Sequence, residues 1–82
     1  MDVDRNAADA FYRMMVGLPI TVFLLNRKII SGKLVSFDDE SVILENLGSH
    51  QQQLLNRVGI EGVSPVASKA APIKERRARP SP

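Results

Sequence analysis

Residues 29–37, IISGKLVSF, are the most strand-like run of the chain, and a glycine sits near their centre. Glycine weakens a strand, because it loses the most backbone entropy and offers no side chain to pack. Its presence at Gly32 marks a bend or a bulge, and Leu34, Val35 and Phe37 show that the strand resumes after it. Short apolar runs flank it. PITVFLLN comes before, and SVILENL, QQLLNRV and GIEGVSP come after. NRK reads as a tight turn in which Asn26 is able to take a positive φ. NAADAFYRMMVGLP reads as a helix whose apolar stripe is Phe11, Met14, Met15 and Leu18. Asp4 or Asn6 would cap its start, Gly17 would end it, and Pro19 would block continuation. A helix followed by five short strands on tight connections predicts a mainly β fold, a small and strongly bent barrel. Gly32 would let one long strand serve both halves of that barrel.

With 82 residues, the chain makes one small domain with a thin core, a class that usually needs a staple or a partner. The chain has no cysteine, which excludes disulfides and thiolate metal sites and fits a reducing cytosol. No apolar run approaches the roughly 18 residues of a membrane span. MDVDRNAADA is acidic and lacks the pattern of a signal peptide. The expected location is the cytoplasm. Residues 1–65 carry six Lys/Arg against eight Asp/Glu, whereas residues 66–82 carry five against one. Residues 67–82 are therefore expected to be a basic, disordered tail. Such a tail suits a polyanion through salt-sensitive contacts, or simply keeps the chain solvated.

Catalytic signals are missing. Asp38, Asp39 and Glu40 fall in a predicted turn, where acids serve local hydrogen bonds and solvation. His50 lies in a Gln-rich loop without a second His or a Cys beside it. No nucleophile–base spacing, phosphate loop or dinucleotide fingerprint occurs. The expectation is a non-enzyme with no catalytic residues, no metal and no cofactor.

The order helix, VFLLN, strand with central glycine, SFD, VILEN and a closing I-x-x-V-x-P resembles the bacterial Sm-like RNA chaperones, the Hfq family. The resemblance covers residues 6–66 and is most specific between Pro19 and Glu45, where Asn26, Gly32, Ser36, Phe37 and Asp38 match the first Sm motif. It implies an N-terminal helix on a five-stranded, strongly bent antiparallel sheet. It also implies subunits joined fourth strand to fifth in a hexameric ring. Such rings bring small regulatory RNAs and messenger RNAs together in post-transcriptional control. In this resemblance Asp38 is structural and holds the turn.

The second motif departs from the family pattern. Where the family carries Tyr-Lys-His, this chain has Asn56, Arg57 and Val58, so a positive charge survives without the aromatic. Asp39 and Glu40 stand where a polar residue and a base-stacking aromatic are usual. Weak binding of uridine tracts is therefore expected at that face. On the opposite face the resemblance implies an adenine site built by Phe23, Ile30 and Gln53. Arg27 takes the place of the usual turn glycine there and Lys28 follows it, adding two positive charges that engage phosphates or simply solubilise the turn. Only Arg13 remains of the family's arginine rim. The main expectation is an RNA-binding ring favouring A-rich RNA. The alternative is a ring-forming structural or protein-interaction module with much reduced RNA affinity.

Overall fold

The computed structural model describes residues 3–66 and 71–75, with side chains described from residue 7 onward. Helix α1 (Val3–Met15) is followed by β1 (Pro19–Leu24), β2 (Ile29–Phe37), β3 (Ser41–Glu45) and β4 (Gln52–Asn56). A single 3-10 turn, Arg57–Gly59, leads into β5 (Ile60–Pro65), and a two-residue strand, β6 (Ile73–Lys74), comes last. The strands form one antiparallel sheet in the order β4-β3-β2-β1-β5-β6. The expected helix and bent antiparallel sheet are present, but the sheet has six strands rather than five.

Two parts of the helix expectation change. α1 begins at Val3, so Asp4 and Asn6 lie inside it rather than at a cap; their side chains lie outside the described residues. The buried stripe is Ala8, Phe11 and Tyr12, with Met15 packed at its edge, while Met14 is 71% exposed and Leu18 lies beyond the helix end. Both stripes have helical spacing. The one that holds Tyr12 is buried because its hydroxyl finds a buried acceptor in Glu75.

The core joins these helix residues to Ile20 and Val22 of β1, Leu34 of β2, Val42 and Leu44 of β3, Leu55 of β4, and Ile60 and Val63 of β5. Burial alternates along β1, so Ile20 and Val22 point inward and Pro19, Thr21 and Phe23 point to the outer face. In β2 the alternation is broken by a bulge. Leu34 pairs with Leu44, yet Ser36 pairs with Ile43, so Val35 is an extra residue. That extra residue resets the phase and lets both Leu34 and Phe37 face the core.

Gly32 lies three residues before the bulge. It is buried, and a β-carbon there would sit 2.8 Å from the carbonyl oxygen of Glu45. Its absent side chain is what allows β3 to approach so closely. In the β1–β2 turn the positive φ belongs to Arg27 (71°), not Asn26. Asn26 instead accepts the backbone N–H of Lys28 through its side-chain oxygen at 3.0 Å, which closes the turn without leaving ordinary φ.

The expectation of a disordered tail is corrected for residues 71–75. β6 pairs with β5 through Gly62↔Lys74 and Val63↔Ile73, and α1 packs chiefly against β6 and β2. Ile73 packs on the core and Glu75 is buried. Residues 67–70 and 76–82, also expected to be disordered, lie outside the described residues. Among the described residues no helix is long and apolar enough to cross a membrane.

Gly32→Ala should lower stability by about 1–3 kcal/mol, the usual cost of forcing atoms into a packed site. Urea unfolding measures it; an unchanged midpoint would mean that β2 and β3 separate freely.

Candidate functional site

Arg57 is the largest fully buried side chain, 1% exposed. Its Nε and Nη2 donate to Glu75 Oε2 (3.1 Å) and Oε1 (2.9 Å), a two-pronged pair, and Nη1 donates to the carbonyl of Asp38 (2.8 Å). Asp9 Oδ1 lies 2.7 Å from Nη2 as an ion pair, without hydrogen-bond alignment. The guanidinium also stacks over the Tyr12 ring, 4.9 Å from its centre. The Tyr12 hydroxyl donates to Glu75. This cluster draws on α1, the 38–41 turn, the 3-10 turn and the tail.

Burial opposes the charge on Arg57, but Glu75 and then Asp9 outweigh it and hold its pKa above the ordinary arginine value. Burial, the bond to Glu75 and the negative charge of Glu75 push the Tyr12 hydroxyl well above the usual tyrosine range. Both shifts favour the protonated forms, which are the forms that make these contacts.

The acidic turn is built locally. Asp38 Oδ1 accepts the backbone N–H groups of Glu40 (2.9 Å) and Ser41 (2.7 Å). Those two bonds hold its carboxyl below the ordinary aspartate range. The carbonyl of Glu40 accepts the N–H of Arg57 at 2.8 Å, which ties the turn to the buried cation. His50 pairs with Glu45 across 3.0 Å in the β3–β4 loop.

The structure separates the residues expected to contact RNA. Arg57, expected at the uridine face, is corrected: each of its side-chain nitrogens has a protein partner, and none is left for a phosphate. Ile30 pairs with Val22 and packs on the core, so it does not share the face of Phe23. The cross-strand neighbour of Phe23 is Ile29, which is 62% exposed. Gln53 is exposed, but it pairs with Leu44 on the core-facing side of β4, three strands from β1. Within one chain it does not meet Phe23. What does come together on the outer face of β1 and β2 is Phe23, Ile29, Thr21, Ser31 and Lys33, beneath the exposed Arg27–Lys28 turn. Thr21 and Ser31 hydroxyls lie 3.2 Å apart there.

A second feature opens at the free edge of β4. A groove of about 330 Å³ is lined by Leu24, Leu25, Leu54, Leu55 and Gly59, with Asn26 and Asn56 at hand as amides. Leu25 and Leu54 are mostly exposed, as is Val58 beside them. Leu25 N–H donates to the carbonyl of Gly59 at 2.9 Å and shapes the wall. Among the described residues β4 pairs with β3 alone, which leaves its other edge open beside this apolar lining.

Asp9, Tyr12 and Glu75 were not legible as site residues. The one available signal was Glu75 itself, the single acid among residues 66–82. Among the described residues no three His, Cys, Asp or Glu side chains cluster as metal ligands. No protein-family model and no characterised protein matches the chain.

Glu75→Ala leaves a buried cation without its main partner and should cost about 3–5 kcal/mol in urea unfolding. Adding Arg57→Met should recover most of that loss; no recovery would mean the deficit lies in the tail packing instead. The Asp38 pKa is depressed by folding, so its contribution is complete above the ordinary aspartate value and fades as pH falls through the folded one. Asp38→Asn should therefore flatten the acid limb of a stability–pH profile below about pH 4.

Proposed function

We propose that this chain is a divergent Sm-like, single-stranded RNA-binding protein. It acts as an RNA chaperone in the cytoplasm, on small regulatory RNA and messenger RNA, and assembles edge to edge into a homohexameric ring. It binds A-rich RNA through the outer face of β1 and β2, and binds uridine tracts weakly.

The observation that carries the proposal is Arg27. Its φ of 71° is the left-handed region, where glycine is relaxed and a side chain costs roughly 1–2 kcal/mol. A cation kept there at the expense of stability points to use at that position. It stands next to Lys28, at the end of a face that offers an aromatic ring, an exposed isoleucine and two hydroxyls. Rings that stack bases beside cations that track phosphates are the basis of single-strand binding. The free β4 edge and its apolar groove support assembly, because strand addition satisfies the open backbone and covers the leucines.

The burial of Arg57 and the distance of Gln53 from Phe23 favour the second reading, an assembling structural or protein-interaction module with little RNA affinity. Titration of fluorescent A-rich and U-rich oligonucleotides at two salt concentrations decides between them. The proposal expects tight A-rich and weak U-rich binding; no binding to either supports the second reading. Phe23→Ala should weaken A-rich binding about 5- to 150-fold, the equivalent of one lost stacking contact. Arg27→Gly should raise stability by about 1 kcal/mol while lowering affinity and reducing the salt slope by about one charge. A gain in stability with unchanged affinity would remove Arg27 from the interface.

A further inference from the structure

We infer that β6 is an intramolecular plug that competes with the β4 edge of a second copy for the outer edge of β5, so that the tail controls assembly. The inference rests on the edge-to-edge assembly proposed above and specifies its regulation.

The two ends of the sheet are unequal. At one end β4 presents a five-residue edge with no partner strand among the described residues. At the other, β5 is six residues long, but β6 pairs with Gly62 and Val63 alone. One further backbone bond, from Glu75 N–H to the carbonyl of Glu61 at 3.0 Å, extends the contact. A closed ring needs both edges of every copy, and here one is occupied from within. A five-residue strand offers more backbone bonds than the two-residue plug it would displace.

Two devices hold the plug. The first is Glu75, which anchors β6 from below through Arg57 and Tyr12. The second is Gly62. A β-carbon there would lie 3.2 Å from both the Ile73 carbonyl oxygen and the Pro72 Cβ, so the tail lies tightly over a position that has no side chain. Gly62 thereby separates the two states. A β-branched residue at 62 would crowd the plug, while it suits a strand that pairs with another strand.

Without its plug the chain would have two complementary open edges, and the exposed leucines beside β4 would be covered by assembly. The Arg57 cluster would lose Glu75 and keep Asp9 and the Asp38 carbonyl. Opening therefore has a cost set by the buried cation, which keeps the closed form favoured in the isolated chain.

The test is sedimentation velocity over a range of micromolar concentrations, on the full chain, on Gly62→Val, and on a chain ending at Pro72. The shortened chain loses Glu75 and can fail to fold, whereas Gly62→Val retains every group of the buried cluster; circular dichroism checks both. The plug predicts that Gly62→Val lowers the concentration of half-assembly at least about tenfold. Equal assembly by the full chain and Gly62→Val would overturn the inference and leave the ring reading standing. An oligomer of the full chain that Gly62→Val dissolves would also overturn it, because the tail would then be the joint between copies. Monomers throughout would overturn both.

Discussion

A guanidinium that is 1% exposed must be matched on all sides or it unfolds the protein around it. Arg57 is matched by Glu75 from the tail, Asp9 and Tyr12 from the helix, and a carbonyl from the acidic turn. Those four partners come from segments with little other reason to meet. The cation thus sets the orientation of α1, since Tyr12 rather than Met14 must face inward. It fixes the 38–41 turn, whose carbonyl it takes. It also pulls residues 73–75 onto an edge of the sheet that a purely apolar core would have left open.

The rest of the fold is a problem of curvature and edges. Six strands over one helix make a small core, and the sheet has to wrap to enclose it. The wrap is achieved in two places on β2. Gly32 lets the Glu45 carbonyl come within reach, and the Val35 bulge rotates the strand so that Leu34 and Phe37 both point inward. Bending leaves the hairpin tip at Arg27 and Lys28 projecting, with Phe23 and Ile29 beneath it. It leaves β4 as an open edge lined with leucines. The outer face of the two central strands and the groove beside β4 thus meet near the β1–β2 turn, since Leu24, Leu25 and Asn26 line that groove.

Much of the secondary structure was legible. The helix, five of the strands and the turn chemistry of Asp38 follow from apolar runs, glycine and short polar links, all of which act within a few residues. The candidate site was legible only in part. Phe23, Arg27 and Lys28 lie on an exposed face or turn, where strand alternation and turn position are local properties. Ile30 and Gln53 were misplaced relative to Phe23, because register and sheet curvature decide which alternate residues share a face. Arg57 was read as a surface charge because charged residues are almost never fully buried unless paired, and its partner Glu75 stands 18 residues away in a segment that looked like tail.

By itself, the sequence determined the periods: where the chain runs as helix, where as strand, and where it must turn. Those follow from backbone sterics and from side chains a few positions apart. Tertiary structure decided which surfaces are buried and which stay exposed. Which helix stripe is buried, whether a cation meets solvent or a carboxylate, and whether a tail becomes a strand all depend on contacts across 18 to 63 residues. Such contacts form only when the whole sheet has curved to bring them together. Their free energy comes from desolvation and charge pairing, which have no signature in any short stretch of sequence.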